Sequence, residues 1–239
     1  MNEQLLRDLF EEERTHWWHA AKRELILGFI PSQNRRVLVL GVGGGLLCHQ
    51  LATLGFEVMG VDISPDCCHH VWQTYGVNVI EYDLERGLPF EDNSFDAVII
   101  ADVLEHIQKD KELAAEIYRC LAKGGRLLLT VPAYQHLWSY WDELLAHFRR
   151  YRREGLRSLI ADAGFKIRRV SYFNVLVYPA ALVWRKCFFP RGQRPLDFSI
   201  SKGGAVMNFF MGNYYAIERF WISFASLPFG LSLFVCAEK

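Results

Sequence analysis

Two stretches of the chain carry side chains of the types that move protons in enzymes. His147 is the first candidate for a general base, because a neutral imidazole titrates near the working pH of most enzymes. A purely structural histidine, bonded to a loop carbonyl, is the alternative. Asp142 lies five residues earlier, a spacing that one helical face does not align, so orientation of the imidazole by Asp142 stays open. Glu105 and His106 form a second candidate catalytic pair, for which packing of a ligand-binding loop is the favoured interpretation.

A glycine-rich turn indicates a site for a nucleotide-like ligand. Apolar residues 37–40 run directly into a turn that contains four glycines: Gly41, Gly43, Gly44 and Gly45. A turn without side chains lets the backbone approach a ligand closely, and the start of the following helix offers N–H groups to a carboxylate or a phosphate. Leu46 stands in the place of the last glycine of the dinucleotide fingerprint, which argues against a dinucleotide.

Three acidic residues follow predicted strands, where the ligands of an open parallel sheet bind. Asp62 lies at about the distance from the glycines at which an acidic residue binds ribose hydroxyls. Asp83 follows the next strand and suits a hydrogen bond from an exocyclic adenine amine. With Asp102 as the third, these carboxylates favour a cationic ligand over a pyrophosphate.

The elements that must position these residues alternate between strand and helix. The strands are apolar enough to be covered on both faces, which predicts an α/β fold with a doubly wound parallel sheet. Strands are predicted within 56–65, where the strand ends at Asp62, and within 94–107, where it runs into a loop at 102–106. Further strands are predicted at 36–40, 77–83, 124–132, 164–173 and 227–239. Helices are predicted at 3–14, 16–29, 44–55 and 109–122, and from Ser64 onward. We expect one domain, 1–239, composed of N-terminal helices (1–30), a ligand-binding core (31–173), a helical insertion (174–226) and a last strand (227–239).

The composition argues against several broad classes of protein. The chain of 239 residues carries 27 basic and 27 acidic side chains, so no global positive field attracts nucleic acid, and no separate recognition domain is visible. The six cysteines form no CxxC pair, and the run CCHH at 67–70 points in four directions around a helix, so we expect free thiols in a reducing cytoplasm and no zinc. The acidic N-terminus lacks a signal-peptide core, and the longest apolar run, 173–184, is too short to span a bilayer.

Four segments in series resemble a known family. They are VLVLGVGGG (37–45), GVDIS (60–64), YDLERGLPFEDNSFDAVIIADVLEHI (82–107) and GGRLLLTVP (124–132). Over about 36–172 the chain resembles the class I methyltransferases that use S-adenosylmethionine. The resemblance implies a seven-stranded, mostly parallel, Rossmann-like sheet in the order 3-2-1-4-5-7-6, with the last two strands as a hairpin. It also implies that Gly41, Gly43 and Gly45 face the methionine part of the cofactor, Asp62 the ribose, and Asp83 with Leu84 the adenine. Ile63, next to Asp62, is a further expected cofactor contact.

One position departs from this family's pattern. The family usually carries an acidic residue two positions before the first glycine, where it helps to hold the methionine ammonium group, and here that position is Val39. Asp102 is the candidate substitute. The expected cofactor is S-adenosylmethionine and no metal is expected, although Leu-Glu-His loops like 104–106 occur in quinone O-methyltransferases, some of which use a divalent metal.

A narrower resemblance covers nearly the whole chain. The segments HWWHAAKRELI, VPAYQHLWSYWDELLAHFRRYRREGLRSLIADAGF and LPFGLSLFVCAEK resemble a bacterial subgroup associated with surface-glycan and lipid-linked sugar pathways. This resemblance implies methyl transfer to an oxygen of a glycan or of a lipid-linked intermediate. Two alternatives remain, which are O-methylation of a soluble phenol or quinone-like molecule and a catalytically weak module that only binds the cofactor.

The stretch after the fifth predicted strand is where acceptor-binding residues are expected. Methyl transfer from a sulfonium is an in-line displacement, so the protein must align the nucleophile and take its proton if it is a hydroxyl. Arginines follow this stretch at once and suit a phosphate clamp, which favours an anionic acceptor, with a solvated helix face as the alternative. The expected substrate-binding residues are Tyr134, Trp138, Arg149, Arg150 and Tyr151.

Some fifty residues separate the last two predicted strands, where this fold has a short turn. Segment 174–225 carries six basic and two acidic residues, and its aromatic-rich ends predict helices. Capping of the site or a homodimer face is the favoured interpretation. Contact with the inner face of an anionic membrane is the alternative, because a lipid-linked substrate would lie there.

Overall fold

The computed structural model describes the backbone of residues 10–30, 36–187 and 205–239, and the side chains of 10–30, 36–183 and 208–239. Most of the helix predicted at 3–14, and the polar stretch 188–204 of the insertion, lie outside the described residues. Residues 10–15 are helical, and helix α1 (Trp17–Leu27) follows, within the second predicted helix. We refer to 10–30 as the N-terminal segment.

The centre of the fold is a seven-stranded sheet. Its strands are β1 (Arg36–Leu40), β2 (Glu57–Asp62), β3 (Asn78–Glu81), β4 (Phe95–Ala101), β5 (Leu121–Pro132), β6 (Lys166–Phe173) and β7 (Ser232–Glu238). Their order is β3-β2-β1-β4-β5-β7-β6, in which β7 runs antiparallel to both of its neighbours and the other pairs are parallel. The predicted fold class and strand order are confirmed.

Helices connect the strands. They are α2 (Leu46–Thr53), α3 (Pro65–Tyr75), α4 (Asp110–Cys120), α5 (Tyr140–Leu144) and α6 (Arg153–Asp162), followed in the insertion between β6 and β7 by α7 (Val177–Cys187) and α8 (Ala205–Phe224). The fourth strand was predicted to run into a loop at 102–106, and the structure has this loop. Strand β4 ends at Ala101 because Asp102 has a positive φ of 54° and a short 3-10 turn follows at Leu104–His106.

Strands β1 and β4 are buried on both faces because almost every residue in them is apolar. Side chains alternate along a strand, so neighbouring residues enter two different cores. Leu38 and Leu40 lie in one buried cluster, whereas Val37 and Val39 lie in the other. This doubly covered frame brings the carboxyl ends of the parallel strands to one edge of the sheet.

The N-terminal segment packs against the insertion helix α8. The ring of Trp17 stacks on Tyr215 with 5.6 Å between centroids, and Arg219 Nη1 lies 2.6 Å from Glu24 Oε2. Among the residues that the structure describes, no helix combines the length and the apolar character needed to cross a bilayer. The contacts of Trp17 and Glu24 place α8 against the N-terminal segment.

Candidate active site

A cavity of about 800 Å³ lies at the carboxyl edge of the sheet. Its walls include the glycine turn after β1, the residues that follow β2 and β4, part of the N-terminal segment, and residues between 141 and 150. This volume suits a small-molecule site, and open parallel sheets bind their ligands at this edge. We call the wall formed by the glycine turn, Asp62 and Asp83 the glycine side, and the wall formed by His106 and His147 the histidine side.

The glycine turn depends on its missing side chains. Gly41, Gly43 and Gly45 have φ angles of 74°, 54° and 81°, which disfavour other residues. A Cβ on Gly41 would lie 2.2 Å from Val103 Cγ2, so a larger residue would displace the loop after β4. Gly41 and Gly43 line the cavity as predicted, but Gly45 faces Val71 instead and shapes the turn.

The other predicted cofactor residues of the glycine side lie together. Asp62 Oδ2 accepts a hydrogen bond from the Gly43 N–H at 3.2 Å, which ties the end of β2 to the glycine turn. Asp62, Ile63, Asp83 and Leu84 all line the cavity. The structure therefore gathers, on one wall, residues that follow two consecutive strands.

Glu13 belongs to this wall and had no distinguishing signal in the sequence. Its carboxylate accepts hydrogen bonds from the N–H groups of Gly44 at 2.7 Å and Leu46 at 3.2 Å, which are the donors at the start of α2. Burial raises the pKa of Glu13, and the charge of Arg23 partly offsets that rise. The N–H groups expected to face a ligand carboxylate are thus occupied by the chain itself. The contact spans 31 residues, so spacing along the sequence could not reveal it.

An ion pair joins the N-terminal segment to the residue after β4. Lys22 Nζ lies 2.7 Å from Asp102 Oδ2, and Thr130 Oγ1 donates to Asp102 Oδ1 at 2.9 Å. Burial alone would raise the pKa of Asp102, but the charge and hydrogen bond of Lys22 and the bond from Thr130 outweigh it and lower the pKa. Lys22, Asp102 and Val39 all line the cavity. Asp102 is therefore an ionised carboxylate near the position at which the family acid is missing.

His147 and Asp142 form a hydrogen-bonded pair on the histidine side. His147 Nδ1 lies 2.9 Å from Asp142 Oδ1. A carboxylate only accepts, so in the neutral imidazole Nδ1 carries the proton and Nε2 is left to accept one. The sequence left open whether Asp142 orients His147, and in the structure the two side chains are paired. The pairing is possible because α5 ends at Leu144 and the chain turns back, so that the His147 N–H donates to the Asp142 carbonyl at 2.8 Å.

Asp142 is fully buried and anchors this wall without lining the cavity itself. It accepts hydrogen bonds from the Ser139 N–H and from Arg150 Nε, at 2.8 and 2.6 Å. Burial raises the pKa of Asp142, but the hydrogen bonds from His147 and Arg150 outweigh it and lower the pKa to about 2. The carboxylate therefore stays charged throughout the physiological range and holds the imidazole in one orientation.

Glu105 and His106 also lie in the cavity wall. The His106 ring packs edge-on against His147 with 4.6 Å between centroids, and burial together with the neighbouring His147 lowers the pKa of His106. Glu105 is buried, its Oε2 has no hydrogen-bond partner among the described residues, and burial and the charge of Asp102 raise its pKa well above the usual value. Ligand atoms of Glu105, His106 and His147 lie within 4.8 Å of one another, close enough to hold a metal ion.

Two of the four arginines predicted to clamp a phosphate (149, 150, 152 and 153) bind carboxylates of the chain itself. Arg149 Nη1 binds Asp110 Oδ2 at 2.8 Å, and its Nη2 donates to the Gln108 carbonyl at 3.0 Å. Arg150 donates to both oxygens of Asp142, at 2.6 and 3.1 Å. Each guanidinium already faces a carboxylate, so neither offers the open fork that a phosphate needs.

Most of the predicted substrate-binding residues lie away from the cavity. Among the described residues that line it, Arg150 is present, whereas Tyr134, Trp138, Arg149 and Tyr151 are not. Tyr151 is buried and donates to Asp110, and Tyr134 stacks on a neighbouring tyrosine with 4.9 Å between centroids. The wall is instead formed by aromatic and apolar residues that the sequence did not mark as acceptor contacts, which are Trp18, His19, Trp141 and Leu145.

Part of the chain is similar in sequence to known proteins. Residues 38–129 match the family model described as a methyltransferase domain. A ubiquinone biosynthesis O-methyltransferase from Xanthomonas oryzae pv. oryzae is 28% identical over 140 residues, which cover 52% of this chain and 59% of that protein. The chain thus spans less than two thirds of the length of this relative.

Solved structures match over most of the chain. A chain in the complex of the Haloferax volcanii Trm112 methyltransferase activator with a methyltransferase has a TM-score of 0.65 at 19% identity, and the match covers 95% of this chain and 92% of that chain. Haemonchus contortus phosphoethanolamine N-methyltransferase 2, in complex with phosphomonomethylethanolamine and S-adenosylhomocysteine, has a TM-score of 0.62 at 22% identity, with coverages of 92% and 52%. Residues 38–129 thus have the sequence pattern of a methyltransferase domain, and the chain has the fold of the class I methyltransferases that use S-adenosylmethionine.

Proposed function

We propose that this protein transfers the methyl group of S-adenosylmethionine to an oxygen of an acceptor held beside His147. The observation that carries the proposal is the hydrogen bond of 2.9 Å between His147 and the buried Asp142, in the wall of the same cavity as the glycine turn. A hydroxyl must lose its proton as its oxygen takes the methyl group, and an oriented neutral histidine can accept that proton.

The glycine side fits the nucleoside part of this cofactor. Asp62 and Asp83 offer carboxylate oxygens to the ribose hydroxyls and the adenine amine, as the family resemblance implies. Ile63 lines the cavity yet is 68% exposed, so it presents an apolar surface that a flat base can cover. Gly41 keeps the turn free of a side chain where the ligand approaches the backbone.

The Lys22–Asp102 pair suits the amino-acid end of the cofactor. Glu13 already accepts the N–H groups of Gly44 and Leu46, so these donors are occupied. Lys22 is then the cation for the methionine carboxylate, and Asp102 is the anion for the methionine ammonium group. In this proposal the pair replaces the acid that is missing at Val39.

The chemistry is divided between the cofactor and this chain's own side chains. When bound, S-adenosylmethionine supplies an electrophilic methyl group and leaves as neutral S-adenosylhomocysteine. His147 Nε2 accepts the acceptor's proton, and Asp142 keeps the imidazole oriented and stabilises the imidazolium that forms. The burial of Asp142 and its bonds to Ser139 and Arg150 hold this geometry before the acceptor arrives.

For the acceptor, we infer a glycan or lipid-linked intermediate, as the narrower resemblance implies. Arg149 and Arg150 already bind carboxylates, so they do not form a phosphate clamp for this acceptor. A soluble phenol or quinone-like acceptor is the second candidate. It is favoured by the aromatic residues Trp18 and Trp141 in the cavity wall, and the relative from Xanthomonas oryzae is named for ubiquinone biosynthesis.

The experiment that tests this function compares His147→Ala with His69→Ala, an exposed histidine of α3 outside the cavity wall. Release of S-adenosylhomocysteine is measured with a polyprenyl-linked sugar, a free sugar and a catechol, and cofactor affinity is measured by calorimetry. We expect His147→Ala to lower kcat by about 10²–10⁴-fold with affinity unchanged, and His69→Ala to behave like the wild type.

Full turnover in His147→Ala would remove the general-base role. Tight binding of S-adenosylhomocysteine without turnover on any acceptor would favour the module that only binds the cofactor. Each assay is repeated with a chelator, and a loss of turnover on chelation would assign a metal to the Glu105, His106 and His147 cluster.

A further inference from the structure

Helix α8 presents its apolar residues to the outside and its charged residues to the protein. Among its described side chains, every exposed position is uncharged, and six large apolar residues there are between 51% and 68% exposed: Phe209, Phe210, Ile217, Phe220, Trp221 and Phe224. The two charged residues of the helix are turned inward or paired, with Glu218 buried and Arg219 bound to Glu24. A helix on the surface of a water-soluble domain has the opposite arrangement.

The orientation of α8 is held by a buried carboxylate. Glu218 accepts hydrogen bonds from the N–H groups of Asn174 and Val175 at 3.0 and 2.9 Å, and from the Tyr214 hydroxyl at 2.9 Å. Rotation of the helix to bury its aromatic face would expose these donors and leave the carboxylate unpartnered. The apolar face is therefore a stable feature of the folded chain.

Helix α7 extends this apolar surface. Leu176, directly before α7, and Val183 within it are each 56% exposed, and Pro179 and Ala180 between them are also exposed. The Tyr214 hydroxyl of α8 accepts a hydrogen bond from the Leu176 N–H at 2.9 Å, which joins the two helices. We call the exposed residues of α7 and α8, with Leu176, the apolar face.

The charge of the chain around these helices indicates what covers the apolar face. Residues 184–204, which join the exposed parts of α7 and α8 in sequence, contain one acidic residue and five basic ones: Arg185, Lys186, Arg191, Arg194 and Lys202. Apolar aromatic residues next to basic residues match the acyl boundary and the headgroups of an anionic bilayer. A symmetric pair of copies meeting at this face would instead bring two positively charged stretches together.

We propose that the apolar face docks peripherally on an anionic lipid bilayer. This proposal goes beyond the proposed methyl transfer and does not depend on it. It has a consequence for the cavity, because the inner side of α8 holds the N-terminal segment through Trp17 and Glu24. The same segment supplies Glu13 and Lys22 to the cavity wall, so a docked protein has its site one helix away from the lipid.

The test is co-sedimentation of the full chain with vesicles of phosphatidylcholine alone and of phosphatidylcholine with phosphatidylglycerol. A triple variant of the apolar face, Phe209→Ser with Phe220→Ser and Trp221→Ser, is compared with a control, Leu54→Ser with Trp72→Ser. The control residues are 63% and 56% exposed and lie outside the apolar face, at the end of α2 and in α3. Melting temperature and S-adenosylhomocysteine affinity confirm that each variant is folded.

We expect the wild type and the control to sediment with the anionic vesicles, less so in high salt, and the triple variant to bind at least about tenfold more weakly. Absence of wild-type sedimentation, or equal sedimentation of the triple variant, would overturn the proposal. Light scattering is measured on the same samples. A wild-type dimer that the triple variant converts to a monomer, without vesicle binding by either, would assign the face to a second copy of the chain.

Discussion

The two sides of the cavity are formed by different structural features. The glycine side uses the backbone geometry of Gly41 and two carboxylates, Asp62 and Asp83, at the carboxyl ends of consecutive strands. The histidine side uses a buried network of side chains in which Asp142 holds both His147 and Arg150. A substitution in the glycine turn moves the backbone, whereas a substitution in the side-chain network removes one contact and leaves the backbone in place. We therefore expect substitutions on the first side to alter cofactor affinity and those on the second to alter turnover.

The largest effect is expected for Gly41→Ala. The added Cβ would lie 2.2 Å from Val103 at a φ of 74°, so the turn must move, and S-adenosylhomocysteine affinity should fall at least about a hundredfold. Gly55→Ala is the matched control, because Gly55 has a φ of 89° but meets nothing within 4 Å. Calorimetry on both variants separates the clash from backbone strain, and equal affinity losses would contradict the steric account.

Asp142→Asn should lower kcat by about a hundredfold while cofactor affinity stays within about twofold. The asparagine has one acceptor oxygen in place of two, so it cannot accept both the bonds that His147 and Arg150 make to Oδ1 and those that Ser139 and Arg150 make to Oδ2. Buried Arg150 also loses its counter-charge, so unfolding should become about 3 kcal/mol easier. Asp110→Asn is the control, because Asp110 is a buried carboxylate bonded to Arg149 and lies outside the cavity wall. A similar fall in kcat for both variants would attribute the effect to stability alone.

Asp102→Asn and Lys22→Met should each weaken S-adenosylhomocysteine binding by about tenfold, equivalent to about 1.4 kcal/mol. Each variant removes one charge of the pair that is 2.7 Å apart in the cavity wall. Methylthioadenosine lacks the amino-acid part of the ligand and serves as the control ligand. Its affinity should not change, and a parallel loss for both ligands would show that the pair does not recognise the amino-acid end.

Glu105→Gln should change how stability depends on pH. Burial raises the pKa of Glu105, so the folded state retains a proton that the unfolded state has lost, and unfolding becomes easier as pH rises above the usual glutamate value. The variant lacks this loss of stability, so its melting temperature relative to the wild type should rise between pH 5 and pH 8. Glu116→Gln is the control, because its melting temperature relative to the wild type should change with pH in the opposite direction.

In Glu116 the hydrogen bond from Arg119 lowers the pKa, so its stabilising contribution is present above the usual glutamate value and is lost in acid. The melting temperature of Glu116→Gln relative to the wild type should therefore fall as pH rises through that range. A gap for Glu105→Gln that stays constant with pH would contradict the protonated state of the buried carboxyl group.

Whether a site residue could be predicted from the sequence depended on how far apart in sequence its contacts lie. Asp62 and Asp83 line the cavity because residues at the carboxyl ends of parallel strands lie at the ligand-binding edge of the sheet, and their contacts with the cofactor stay predictions. The ion pair of Arg149 with Asp110 could not be derived from the sequence, because the two residues lie 39 positions apart and meet only in the folded chain. Gly45 was expected to face the methionine from the family resemblance, and only the tertiary structure shows that a Cβ on Gly45 would point at Val71.

The sequence by itself determined the alternation of strands and helices, the glycine turn and the edge at which the site lies. These features follow from periodicity, apolar runs and residue order, which act within a few residues of each other. Only the tertiary structure decided that Glu13 and Lys22 reach the cavity, that Asp142 orients His147, and that Glu218 turns the aromatic residues of α8 outward. Each of these features depends on a charged side chain that is paired in the folded chain, either through long-range packing or through a local turn.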